Sequence, residues 1–273
     1  MRWSSAAVKL LGVLLLVPGL MASAVQAQDA PKLSKEQLDQ LTAQIALYPD
    51  SLLAQLLMAT TYPEDFAAAT AWSKAHPDAK GDDAVKMVEN EPWDPSVSSL
   101  VAFPEVLITL GGNPDWVRSI GDAFLDQPDD VMSSVQRLRQ KAQAAGNLKS
   151  NEQVKVSMQA PEPAPPSTPQ TVVVQQSAPP PQVIVIEPAQ PSVVFVPSFN
   201  PSVVYGPWPW AAYPPYFFPP PPGFWWSRPV ATGIAWGVGI GVTNALWGGV
   251  RWGGGWGNNS VNINVNRYNN INV

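Results

Sequence analysis

From Leu38 to Leu138 apolar residues recur at three- and four-residue spacing, interrupted repeatedly by polar or proline-led start signals. That spacing lays apolar side chains along one stripe of a helix. Ser34 with Gln37 makes a capping-box pattern ahead of Leu38, Leu41, Ile45 and Leu47. Thr61 with Glu64, and Pro63 between them, opens a further helix through Phe66, Ala69 and Trp72. Asp94-Pro95 and Asn113-Pro114 repeat the signal. Proline suits the first helical position, where an N–H would have no partner within the helix. A last helix is predicted from about Asp129 to Ala145, with Val131, Val135 and Leu138 on one face and Gly146 as its stop. Seven or eight short helices are therefore expected over 33–148. Leu52, Leu53, Leu56, Leu57, Trp72, Leu100, Phe103, Leu107, Trp116 and Ile120 supply one core.

After residue 150 the pattern changes. Residues 151–182 read as a Pro-rich linker, because Pro161 to Pro169 and Pro179 to Pro181 disfavour helix and bury little. Residues 183–206 read as a small β meander. Val183 to Ile186 is β-branched, and Pro-Ser-Val-Val-aromatic occurs at 191–195 and again at 201–205, with Phe199-Asn200-Pro201 as the turn. A sheet that small must dock on something. Residues 207–228 are a Pro/aromatic segment containing Trp208, Trp210, Trp225 and Trp226. Residues 229–257 are Gly-rich and hydrophobic, and 229–250 carries no charge between Arg228 and Arg251. That run is long enough to span a bilayer. Gly233, Gly237, Gly241, Ala245 and Gly249 fall four residues apart. On a helix they would form a ridge of small residues for close packing in a membrane, with the four tryptophans as interface aromatics. Residues 258–273 form an Asn-rich tail, with Asn alternating with Val and Ile over 261–266. The expected fold class is thus an all-α N-terminal domain of short helices (28–150), then a Pro-rich disordered linker, a small β element, a Gly/aromatic-rich hydrophobic segment and a low-complexity Asn-rich tail.

The N-terminus changes the picture of compartment. Arg2 and Lys9 precede the apolar run Leu10 to Leu20, and Val25-Gln26-Ala27 puts small residues ahead of a cut between Ala27 and Gln28. This is a secretory signal pattern, so residues 1–27 are read as a signal peptide and the chain as exported to the periplasm or cell envelope. The 273 residues contain no Cys and one His, His76. Disulfides, thiol catalysis, Cys-based zinc sites and sites needing two His are excluded. Residues 28–150 hold 18 acidic against 10 basic residues, net −8, and 151–273 hold 3 against 4. Neither half has the basic patch that nucleic-acid binding requires. No nucleophile elbow, zincin motif, phosphate loop or dinucleotide fingerprint is present, so no catalytic residue, metal ligand or cofactor site is assigned. His76 reads as a helix-end residue. Asp82-Asp83 and Asp129-Asp130 read as helix starts, where negative charge is favoured by the macrodipole.

Tyr48-Pro49-Asp50-Ser51, then Tyr62-Pro63-Glu64, is echoed by Trp93-Asp94-Pro95-Ser96, then Phe103-Pro104-Glu105. The echo admits a duplicated helical hairpin or a chance recurrence of helix starts. Three stretches carry a resemblance to a family: Ala-Leu-Tyr-Pro-Asp-Ser-Leu-Leu-Ala-Gln (46–55), Glu-Pro-Trp-Asp-Pro-Ser-Val (91–97) and Val-Ile-Glu-Pro-Ala-Gln-Pro running on to Val-Val-Tyr-Gly (185–206). The chain resembles, over roughly residues 33–250, the exported bacterial domain-of-unknown-function family 3300. The resemblance implies a membrane-associated protein and no specific activity. Relatives often continue into a longer Asn/Arg-rich tail, whereas this sequence runs to Val273.

The expected function is therefore a non-enzymatic cell-envelope protein, membrane-associated through its C-terminal half, whose acidic helical domain meets an envelope protein partner. Two alternatives stay open: a cell-wall- or glycan-binding protein or enzyme using the helical domain, and a self-assembling surface or matrix component. Intact-mass measurement of the envelope protein is expected to give a mature N-terminus at Gln28. A mass that still includes Met1 would overturn the signal assignment.

Overall fold

The computed structural model describes residues 32–159, 182–219, 233–242, 251–252 and 261–262. The residues read as a signal peptide, with Ala27 and Gln28, most of those read as a Pro-rich linker, Trp225, Trp226, Ala245, Gly249 and most of the Asn-rich stretch lie outside them.

Eight helices build the first half: α1 (Lys35–Thr42), α2 (Asp50–Thr60), α3 (Pro63–Ala75), α4 (Gly81–Met87), α5 (Pro95–Leu100), α6 (Pro104–Gly111), α7 (Pro114–Asp126) and α8 (Pro128–Ala144). The Ser34–Gln37 capping box forms. Proline takes the first position of α3, α5, α6, α7 and α8. The expected Thr61 cap does not form, because Pro63 shifts the N-cap to Tyr62, which has no oxygen at the right distance. Gly146, at φ +77°, ends α8. The Asn147 and Gly146 N–H groups return to the carbonyls of Ala142 and Gln143, a Schellman pair. His76 closes α3, its ring stacked on Trp72 with Nδ1 2.9 Å from the Trp72 carbonyl. The two echoed hairpins meet each other: α2 packs on α5 and α3 on α6. Gly111 permits the second contact, since a Cβ there would lie 2.0 Å from Thr70 Oγ1.

The strands do not form the expected meander. β1 (Val154–Gln159) pairs antiparallel with β2 (Val183–Pro188), and these two strands lie on either side of the proline-rich stretch. The linker therefore begins later than residue 151. β3 (Val193–Val194) pairs with β6 (Ile240–Gly241), and β4 (Pro197–Phe199) with β5 (Ile234–Trp236). Together they make one long, irregular hairpin. Residues 201–204, expected as a strand, form a helical turn, α9 (Pro201–Val204), with the Asn200 side chain accepting the Ser202 N–H. The Asn-Pro start signal outweighs the β-branched composition of Val203-Val204. A further pair, β7 (Arg251–Trp252) with β8 (Val261–Asn262), is antiparallel.

The glycine ladder is likewise reassigned over its described part. Gly233, Gly237 and Gly241 lie in or beside extended strands rather than on one helix face. Two residues, 195–196, face three, 237–239, between the two ladders of the hairpin. This is a β-bulge, a regular use of glycine. Gly239, outside the four-residue spacing, is the position where packing demands glycine: a Cβ would sit 2.6 Å from Val193 Cγ1 and 2.8 Å from Phe195 Cζ. At Gly241 a Cβ meets nothing within 4 Å.

One core runs through helices and strands. Leu52, Leu56, Phe103, Leu107 and Ile120 share it with Val154, Ile184, Ile186, Phe199, Val204, Tyr205, Ile234 and Trp236. Among the described residues the helices of 35–144 and the strands after them share this core. Trp72 is only half-buried. Gly239→Ala is expected to cost about 1–3 kcal/mol through overpacking, whereas Gly241→Ala should be neutral within about 0.5 kcal/mol. Urea unfolding of the two variants checks this. A helical ladder would reverse the order, with Gly241 the sensitive position.

Candidate functional site: the aromatic–proline strap on α1

The turn joining α1 to α2 lies in the longest unbroken run of buried positions among the described residues: every residue from Leu41 to Asp50 is buried. A buried turn must place its carbonyls on donors. Local bonds serve Thr42 and Ile45, through the N–H groups of Ile45, Ala46 and Tyr48. The Leu53 N–H serves Pro49, and distant side chains serve four more. Trp116 Nε1 donates to the Leu41 carbonyl (3.0 Å) and the Tyr205 hydroxyl to Ala43 (2.7 Å). Arg139 donates from Nε to Ala46 (2.8 Å) and from Nη2 to Tyr48 (3.0 Å). Arg139 is fully buried and also pairs through Nη1 with Asp50 (2.5 Å) and with the Ile184 carbonyl of β2 (2.8 Å). Gln136, one turn earlier on α8, presents its amide to Ile184 as a strand would, accepting its N–H (2.8 Å) and donating to its carbonyl (3.1 Å). Burial pushes the phenols of Tyr205 and Tyr48 up, so both stay neutral and Tyr205 keeps the proton it donates to Ala43.

On this platform residues 205–219 form a strap across α1. Asp39, on α1, is buried. Its Oδ1 accepts from Ser134 Oγ (2.7 Å) and Arg137 Nη2 (2.7 Å), and its Oδ2 accepts the Trp210 indole N–H (3.0 Å). Lys35 Nζ stands 5.8 Å from the Trp210 ring centre, a cation–π distance. Gln40 Nε2 donates to the Pro214 carbonyl (2.7 Å), and its own carbonyl accepts the Tyr216 N–H (3.3 Å). Gln44 Oε1 accepts the Phe218 N–H (3.1 Å), and the Phe218 ring meets Trp116 edge-on at 5.6 Å. Proline-rich chain has few N–H groups to offer, and those of Tyr216 and Phe218 are both taken, by the Gln40 backbone carbonyl and the Gln44 side chain. Between these fixed points Tyr216 and Phe217 project outward, 41% and 42% exposed.

Of the sequence-assigned residues, the structure brings Trp210 to Asp39 and puts Trp208 within the strap, its indole N–H on the Tyr213 carbonyl (2.9 Å). Gly233, Gly237 and Gly241 belong to the hairpin that carries the strap. Asp39, Gln40, Gln44, Arg137 and Arg139 were missed. Their pattern in the sequence is that of ordinary polar positions on amphipathic helices, with no signal of their partners. Among the described residues no group of three or more His, Asp or Glu is placed to hold a metal. The Asp39 carboxylate is consumed by structural donors, so the arrangement binds chain and offers no activated nucleophile. Trp210→Phe, which deletes the indole N–H but keeps a ring, is expected to cost about 1–2 kcal/mol. Urea unfolding of the full chain measures it.

Comparison with known proteins agrees with the sequence motifs. The chain is 42% identical over 275 residues to the uncharacterized protein YacH of Escherichia coli (strain K12), covering 87% of this chain and 45% of that protein. The chain thus spans less than half the length of this relative. No solved structure matches it. Residues 34–273 match the family described as protein of unknown function (DUF3300), and with that coverage the chain belongs to the DUF3300 family.

Proposed function

We propose that this chain is an exported, non-enzymatic cell-envelope protein that lies against a membrane surface through its C-terminal half and turns its acidic helical face to a partner protein. The observation that carries this reading is the outward pair Tyr216 and Phe217. Both are held by a strap that Asp39, Gln40 and Gln44 pin to the body. Large exposed aromatics on a rigid support suit the polar–apolar boundary of a bilayer. In sequence they run directly into Phe224, Trp225, Trp226 and the uncharged stretch 229–250. The signal pattern at 1–27 supports export. The reading needs no spanning helix; among the described residues no helix is long and apolar enough to cross a membrane.

The test uses the full chain in cells. Tyr216→Ser with Phe217→Ser is expected to move the protein from the membrane pellet to the soluble envelope fraction. Thermal unfolding should stay unchanged, since neither ring is buried. A double variant that remains in the pellet after a high-salt wash would place the membrane contact elsewhere and overturn the role of Tyr216 and Phe217.

A further inference from the structure

The strap leaves and rejoins the body at one place. The Tyr205 hydroxyl, at its start, donates to the Ala43 carbonyl (2.7 Å), and the Phe218 N–H, near its end, to the side chain of the next residue, Gln44 (3.1 Å). Between them the chain runs out to Asp39 and Lys35 at Trp210 and returns past Gln40. This is a surface excursion with its ends side by side, an Ω-loop. No residue from 206 to 219 is buried. Every exposed position between 207 and 219 is Pro, Ala, Tyr or Phe, and the Tyr216 hydroxyl is the one polar side-chain group among them. In sequence, no charged residue occurs between Glu187 and Arg228.

We propose that the strap binds a bilayer interface of zwitterionic lipid, and that anionic lipid opposes this binding. The inference rests on the membrane reading above and adds the class of lipid. The charges beside the strap cancel. On α1 and its turn stand Lys35, Glu36, Asp39 and Asp50. Arg137 pairs with Asp39, Arg139 pairs with Asp50, and Lys35 acts on Glu36. Three cations thus meet three anions, with no excess of positive charge to draw anionic lipid. Further out, residues 28–150 hold 18 acidic against 10 basic residues, net −8. A negatively charged leaflet repels such a body.

The strap offers two ring faces and one hydroxyl instead. A ring at headgroup level leaves water with its apolar body while a polar tip stays wet. The chain is pinned at the Tyr216 N–H, on the Gln40 carbonyl, and again at the Phe218 N–H, on Gln44 Oε1. Tyr216 and Phe217 therefore reach the interface with little further ordering of the strap. Such a contact depends on apolar area, so salt changes it little. Repulsion of the acidic body does depend on salt, because the screening length falls from about 10 Å at 0.1 M to about 3 Å at 1 M. Added salt then strengthens binding to anionic vesicles, the reverse of the behaviour of a basic surface.

Co-sedimentation of the full chain, purified from cells, with two kinds of vesicle tests this: phosphatidylcholine alone, and an equal mixture with phosphatidylglycerol. On phosphatidylcholine, binding is expected to stay within about twofold between about 0.1 and about 1 M salt. At the lower salt, phosphatidylglycerol should weaken binding by about fivefold, and the higher salt should restore it. Tyr216→Ser with Phe217→Ser should reduce binding to phosphatidylcholine by about tenfold. Phosphatidylglycerol that strengthens binding or leaves it unchanged would overturn the lipid class and leave the membrane contact itself standing. A chain that binds neither kind of vesicle would remove the membrane reading, and this inference with it. A double variant that binds phosphatidylcholine as the wild type does would take the strap out of the contact.

Discussion

The fold depends on hiding a turn. Loops normally run over the surface, because buried backbone needs partners that irregular structure does not supply. Here the stretch from Leu41 to Asp50 is buried throughout. Four of its carbonyls, those of Leu41, Ala43, Ala46 and Tyr48, are taken by Trp116, Tyr205 and Arg139. Arg139 carries the largest share. A fully buried guanidinium is tolerable only when its donors are occupied and its charge is paired, and removing one partner of such a pair costs about 3–5 kcal/mol. Arg139 reaches two carbonyls of the turn, one carbonyl of β2 and the Asp50 carboxylate. Three elements far apart in sequence are thereby fixed by one side chain.

Around that point the other features follow. β2 lies where it does because Gln136 and Arg139 occupy one of its edges at Ile184. The other edge of the ribbon belongs to β1, whose outward backbone groups are also taken: Ser150 Oγ serves both the N–H and the carbonyl of Val156, and Asn151 serves Val154. Two strands alone make a weak sheet. This one is held by the helix beneath it and by side chains at its margins. The strap uses the same means. Its proline-rich backbone is gripped by amides from α1 and the turn, and the Tyr216 ring leans on Phe218 while keeping an exposed face.

Legibility in the sequence followed the range of each interaction. Helices were legible because caps and proline starts act within a few residues. The capping box at Ser34, the proline starts and the Gly146 stop all form as their chemistry requires. Strand pairing was not legible. Val183–Ile186 announced a strand, but nothing local indicates that its partner lies at 154–159. Val203-Val204 looked extended, yet Asn200 and Pro201 make a helical turn. The four-residue glycine spacing suggested a helix, while the described glycines serve a bulged hairpin. The candidate site was half legible: Trp208 and Trp210 stood out by composition, whereas Asp39, Gln40 and Gln44 look like ordinary polar positions on a helix. The family motif 46–55 does acquire a physical meaning. Ala46, Tyr48 and Asp50 are three of the groups that Arg139 holds.

The buried turn also constrains the order in which the chain can fold. Ala43 receives the Tyr205 hydroxyl across 162 residues, and Ala46 and Tyr48 receive Arg139 across 93 and 91. Closing such long loops is slow, because their entropy is spent before any contact returns it. A ribosome that has delivered only the helices has delivered a body with unmatched backbone in its middle. Trp116 and Arg139 come with the helices, but the donor to Ala43 comes only with residue 205, so the last third of the chain supplies the closing bond of the first.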